Sequence, residues 1–236
     1  MKQILLLVVS VLGLAGVSTR GLSQQRVPVT ARALWGPGMS IMQEIREECS
    51  KLPSEKFGEC FLSMMQKSGA TPEAVAFSRQ TSSMGYLRDF KEAGPVDIAF
   101  VHYPFRANEN QGAFLVNGGG RSANVSGPSG PSGPSVWIDI DDQSILAQEE
   151  LQKNPTYGRL AREFPDISLW PGDRNGTSYL VTRGLPAGGV RFTAGYILRK
   201  GCHACEIIGR VNFAFDFEQS GRFLGTKLLG VSAQSR

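Results

Sequence analysis

The chain has only two histidines, His102 and His203, in 236 residues, and they are too far apart to form a His-x-x-x-His pair. Helical zinc-hydrolase motifs need two imidazoles one turn apart, so that chemistry is excluded. There is no nucleophile elbow, which removes one usual sequence sign of a common hydrolase. Gly118-Gly119-Gly120-Arg121 lacks the Lys-Ser/Thr ending and following helix of a phosphate loop. The 25 Lys and Arg residues are scattered and never form a run, so the footprint of a nucleic-acid binder is missing. No internal repeat is present, and no segment beyond the N-terminus is apolar enough to span a bilayer.

What is present begins with an export signal. Lys2 supplies a positive charge, Ile4 to Val17 is apolar or small, and small residues offer cleavage after Ser18 or Ser23. The run is shorter than the roughly 20 residues a spanning helix needs, so residues 1–23 read as a cleaved signal peptide rather than an anchor. No cysteine lies near the cleavage region to carry a thioether-linked lipid. The mature chain is expected to be periplasmic or secreted, without stable membrane insertion. Losing Lys2 and Arg20 reduces the formal charge from +4 to +2. A hydrophobic content of 41% supports an ordinary folded core.

Residues 24–38 read as an irregular lead-in, and helical periodicity runs over 39–94. Met42, Ile45, Cys49 and Leu52 share one helical face, Pro53 breaks it, and Phe57, Cys60, Phe61, Met64 and Met65 share the next. Thr71-Pro72-Glu73 is a helix start, with a capping hydroxyl and proline at the first helical position. A further amphipathic stretch, Ser83 to Glu92, runs through Met84, Leu87 and Phe90 and stops at Gly94-Pro95.

From residue 95 to 236 the grammar is that of strands. VDIAFVHYPF, GAFLVNG and VWIDID are extended segments, separated by a Gly/Ser/Pro tract at 118–135 that cannot bury enough apolar surface to order and reads as a flexible loop. A polar helix follows from about Gln143 to Phe164, broken at Pro155, and then a turn-rich segment from Trp170 to Gly176. In the last fifty residues, Val190 to Leu198 and Ile207 to Phe217 alternate apolar and polar, and a turn at Glu218–Gly221 leads into Arg222 to Val231. Strict alternation with short turns predicts an antiparallel meander with one face on a core. The expected fold is α+β, with a helical cluster in front and an antiparallel sheet behind, ending in three meandering strands.

Four cysteines in an exported chain point to disulfides. On one straight helix Cys49 and Cys60 would lie about 16 Å apart at 1.5 Å per residue, too far to bond. A helical hairpin at Pro53 brings them together, so a structural Cys49–Cys60 bridge is expected. Cys202-His203-Ala204-Cys205 is the more informative pair. Haem attachment fails because Glu206, not histidine, follows Cys205. Zinc fails for want of a fourth ligand. A thioredoxin-type motif wants its first cysteine at a helix N-terminus, whereas this one lies between two strands. Three readings stay open: a bridge stapling a β-turn, a rigid recognition tip, and a redox pair in which His203 favours the thiolate. A bridge over four residues removes only about 2 kcal/mol of chain entropy, a weak reason to place one for stability alone.

The stretch from Tyr196 to Phe217 resembles the inhibitory hairpin of bacterial inhibitors of vertebrate lysozyme, a cysteine-bracketed loop of the form C-x-x-H-x-C. The bracket here is shorter, with His203 directly after Cys202. The resemblance implies a recognition role for the tip, through His203 and Ala204.

Remaining candidates have ordinary structural readings. His102 lies on a strand beside Val101 and Tyr103, a setting that suits a hydrogen-bonded structural histidine; a site shared with His203 would need neighbouring strands. Asp139 and Asp141 share a strand face suited to a cation, yet Asp141 and Asp142 immediately precede a helix and suit capping. Asn124-Val125-Ser126 and Asn175-Gly176-Thr177 match glycosylation sequons. No metal or cofactor is implied. The expected function is an exported, disulfide-stabilised, non-enzymatic binding or inhibitory module of unknown partner. The alternatives are a thiol–disulfide protein using Cys202 and Cys205, or a purely structural envelope or secreted protein.

Overall fold

Pro53 sets the geometry of the N-terminal third. In the computed structural model, which describes residues 31–35, 39–81, 86–103, 111–117, 137–172 and 180–234, helix α2 (Met39–Cys49) ends just before Pro53. Helix α3 (Ser54–Lys67) starts immediately after it. The hairpin brings Cys49 and Cys60 together in a disulfide with Cα atoms 5.7 Å apart, as the spacing argument expects. Helix α4 (Pro72–Gln80) opens on Thr71, whose hydroxyl accepts the Ala74 N–H at 3.1 Å. Residues 1–23, the tract at 118–135, and Asn124 and Asn175 of the sequons lie outside the described residues.

Two expectations about this region need correction. Within the lead-in expected to be irregular, a short helix α1 (Ala31–Trp35) forms and buries Leu34; five residues are too few for a period to show. The amphipathic stretch at Ser83–Glu92, expected to be helical, contains strand β1 (Tyr86–Lys91). Leu87 pairs with Val101 and Phe90 with Ala99, with a bulge between Leu87 and Asp89. The extra residue flips the side-chain parity, so two residues three apart face the same layer. The helical spacing in the sequence is produced by a bulged strand.

The strands form two antiparallel sheets where one was expected. The first has the order β1, β2 (Val96–His102), β3 (Gln111–Asn117), β4 (Trp137–Asp139). In the second, β5 (Ile167–Pro171) and β6 (Leu180–Gly184) share one edge of β7 (Val190–Lys200), followed by β8 (Ile207–Phe217) and β9 (Phe223–Ala233). The expected three-strand meander is β7–β8–β9.

Burial arranges these elements in three layers. Ile98, Phe100 and Leu115 of the first sheet join Phe192, Phe213 and Phe215 of the second in one core. Ala99, Val101, Phe114 and Val116 point the other way, into Phe61, Met65 and Phe77 of the helices. Phe77 meets Phe114 edge-on at 5.2 Å. The sheets are tied by the Tyr196 hydroxyl donating to the Ile140 carbonyl and by Asn117 Nδ2 donating to the Gly221 carbonyl at 2.7 Å. Between them run a 3-10 turn (Gln143–Ile145) and helices α5 (Gln148–Lys153) and α6 (Pro155–Glu163), matching the expected polar helix and its break at Pro155. Glu150 accepts the Leu228 N–H at 2.8 Å, so α5 shields part of β9.

Candidate functional site at the hairpin tip

Alternation in β7 and β8 puts Val190, Phe192, Val211 and Phe213 in the core and turns the odd-numbered partners of β7 outward. The two strands continue to a last ladder bond from Lys200 N–H to the Glu206 carbonyl at 3.0 Å. Five residues, Gly201 to Cys205, then project as a tip. Gly201 has φ +78°, and a Cβ there would lie 3.0 Å from Asp166 Oδ2, so the turn requires glycine. The Cys205 N–H donates to the Cys202 carbonyl at 3.0 Å, and the disulfide closes the same turn with Cα atoms 5.0 Å apart. Cys202, His203 and Ala204 are exposed, and Cys205 is half-buried.

An exposed five-residue tip would ordinarily be loose, but this one is held from beside and beneath. The Gly201 N–H donates to the Asp166 carbonyl at 2.9 Å, and the Ser168 hydroxyl donates to the Gly201 carbonyl at 2.6 Å. Trp170 Nε1 donates to the Ser168 hydroxyl at 2.8 Å, and the Trp170 ring meets the His203 ring edge-on, with centroids 5.0 Å apart. Arg199 Nη1 donates to the Cys205 carbonyl at 2.7 Å. Backbone, bridge and ring packing therefore fix the orientation of His203.

These supporting residues are what sequence reasoning missed. Ile167 and Leu169 alternate like a strand, but Ile167–Pro171 is only five residues long and runs directly into the turn-rich segment. Trp170 and Pro171, expected in the turn-rich segment, are the last residues of β5.

The other sequence candidates fall elsewhere. His102 ends β2 of the first sheet, opposite Tyr86 and Gln111, whereas His203 is at the tip of the second. Burial, then the charges of Arg88 and Arg46, hold the His102 pKa below its ordinary value, so this imidazole favours the neutral form. Asp142 caps the 3-10 turn by accepting the Ser144 N–H at 2.9 Å, and Asp139 accepts the Asp141 N–H at 2.9 Å. Among the described residues no three His, Cys, Asp or Glu side chains gather to hold a metal. No helix among those residues is long and apolar enough to cross a membrane.

An open cleft of about 370 Å³ runs beside the tip, between α6 and the neighbouring ends of β8 and β9. Leu160, Phe164 and Ile207 give it an apolar floor, and Arg159, Glu163 and Glu206 give it mixed charge. Compared with protein-family models, with curated proteins and with solved structures, the chain matches none.

Proposed function

We propose that this chain is an exported, disulfide-stabilised binding or inhibitory module that uses the Cys202–Cys205 hairpin tip, through His203 and Ala204, to contact a protein partner in the envelope or outside the cell. The observation that carries this reading is the combination of exposure and constraint at one place. His203 and Ala204 are open to solvent, yet a disulfide, three hydrogen bonds from Asp166, Ser168 and Arg199 and the Trp170 ring restrain the tip that presents them. A contact ordered before binding loses little conformational entropy on association, so the interaction energy is retained as affinity. Tryptophan, here Trp170 packed against His203, is among the residues enriched at binding hot spots.

The test uses His203→Ala. The wild-type chain and the variant, matched in far-UV circular dichroism, serve as baits for envelope and culture-fluid fractions of the exporting cell. Capture of a partner by the wild type, weakened about tenfold or more in the variant, is the expected result. Equal capture by both removes the tip as the contact.

One observation favours a second reading. Cys202 is exposed, and access to the bridge is the first requirement for exchange by an attacking thiolate. Alkylation and intact mass across a graded thiol buffer separate the two. A potential below about −300 mV marks a structural bridge, and one between about −230 and −120 mV marks an exchanging pair.

A further inference from the structure

We propose that the outer face of the second sheet docks the protein onto an anionic phospholipid surface. This reading goes beyond the hairpin tip and does not depend on it. Strand register fixes which side chains share that face. Arg183 lies opposite Arg191, Arg191 opposite Asp216, Ile197 opposite Arg210, and Ala214 opposite Lys227. Arg199 shares the β7 parity of Arg191 and Ile197. Within these strands the charged side chains of the face are therefore five cations and one carboxylate. That carboxylate, Asp216, is already committed, accepting from Arg191 at 2.6 and 2.7 Å and pairing with Lys227 at 3.4 Å. Arg183 and Arg210 are exposed and make no ion pair among the described residues.

Two details say that the charge on Arg183 and Arg210 is not there for the fold. Like charges directly opposite on neighbouring strands are unfavourable, and Arg183 faces Arg191 in that way. The chain as a whole is only slightly basic, so an excess this large on one face is a concentration of charge. An anion outside the molecule is the missing counter-charge.

The layout selects a lipid surface among anions. Arg191 and Arg199 lie eight residues apart on one strand, about 26 Å at 3.3 Å per residue, with Gly195 and Thr193 between them. Cations spread over both ends of a sheet face do not trace a path for one linear polyanion. Laterally mobile anionic lipids can place a headgroup under each. Along the β5–β6 edge the same face carries Trp170 and Val181, the latter 57% exposed. A tryptophan and an exposed aliphatic residue among cations suit the boundary between headgroups and acyl chains.

The experiment is co-sedimentation of the full chain with vesicles of phosphatidylcholine alone or of phosphatidylcholine with 30% phosphatidylglycerol, comparing wild type with R183Q/R210Q. An apolar N-terminal run would add equally to both vesicle types and to both proteins, so the readout is the anionic-to-neutral ratio of bound protein. We expect a high ratio for wild type, a collapse at 0.5 M NaCl, and a fall of about tenfold or more in the variant, since each cation near an anionic surface contributes about fivefold. A wild-type ratio near one overturns the proposal, as does an unchanged ratio in a variant with native circular dichroism. Retention on dextran sulfate without vesicle binding also overturns it, in favour of a polymeric anion. Because both arginines are exposed and make no ion pair among the described residues, the variant is expected to fold.

Discussion

The two sheets are buried in opposite styles. In β2 and β3 nearly every residue is enclosed, since one parity faces the helices and the other faces the second sheet. In β7 and β8 one parity is enclosed, and the other carries Arg191, Thr193, Arg210 and Asn212 at or near the surface beside buried Ile197, Ala214 and Asp216. A strand covered on both faces leaves its side chains to packing and to internal hydrogen bonds such as that of Asn117. A strand covered on one face leaves every second position uncommitted, and its hairpin can extend past the core. The tip, its buttress and the cationic face all belong to the second sheet for that reason. The first sheet acts as the plate between the other two layers.

The largest effects should break or confirm that contrast directly. Phe114→Ala and Leu115→Ala, adjacent residues facing opposite layers and both essentially buried, should each lower stability by about 2–5 kcal/mol in urea unfolding. On β8, Phe213→Ala should fall in the same range, while its neighbour Asn212→Ala changes stability by less than about 0.5 kcal/mol. A loss at Phe114 as small as that at Asn212 would mean that the helices do not close the first sheet.

The disulfides extend the comparison to the periphery. Replacing Cys49 and Cys60 with serine should cost about 3 kcal/mol, because that bridge closes the longer loop and lies beside buried Phe61 and Met65. The same change at Cys202 and Cys205 should cost about 2 kcal/mol at most. Thermal unfolding of the two double variants ranks them. A tip bridge that costs more than the helical one would make the tip a structural element.

Asp216 tests the buried carboxylate on that face. Its side chain is 4% exposed between Arg191 and Lys227. The hydrogen bond from Arg191, more than any other influence, holds its carboxyl below the usual range. The folded state therefore binds that proton less readily than the unfolded chain. The stabilisation is complete above the unfolded value of about 3.9 and is lost as pH falls through the lower folded value. Asp216→Asn should cost about 1–2 kcal/mol at pH 7, less than a fully enclosed pair because Arg191 and Lys227 reach solvent. The variant should also be less sensitive to acid than the wild type below pH 4. Parallel stability–pH curves for the two proteins would show that the pair does not link folding to this proton.

How much of this could be read in the sequence depends on how local the signal is. The alternation in β7 and β8, the Thr71 cap and the Pro53 hairpin are each set by residues within a dozen positions, and all three are found. Leu87 and Phe90 were legible as a shared face, but a bulge at Arg88 and a helix give the same spacing, and only the partner strand distinguishes them. The division into two sheets is set by which strands pair, and periodicity reports a face without naming a neighbour. At the candidate site Cys202, His203 and Cys205 are contiguous and were visible at once. Ser168 and Trp170 arrive from another strand by pairing with Arg199 and Ile197, and no local pattern announces that. The cationic face was hidden for the same reason, since its arginines are scattered in sequence and adjacent only across strands.

The smallest predicted effect is also the one with a distinctive sign. If Arg183 is held opposite Arg191 against electrostatic preference, removing its charge should not cost stability. Arg183→Gln keeps a long polar side chain on the exposed edge strand and should raise stability by a few tenths, about 0.2–0.5 kcal/mol, in dilute buffer. The gain should vanish at 0.5 M NaCl, where charges a few ångströms apart at the surface are largely screened. Arg210→Gln, opposite Ile197 and Ser232 with no cation across from it, should show no such gain. A loss at Arg183 that persists in salt would mean that the arginine packs for the fold, and the cationic face would then be an ordinary solvated sheet. A salt-sensitive gain at Arg183 alone would show a sheet that accepts repulsion on its open side, the side its enclosed neighbour does not have.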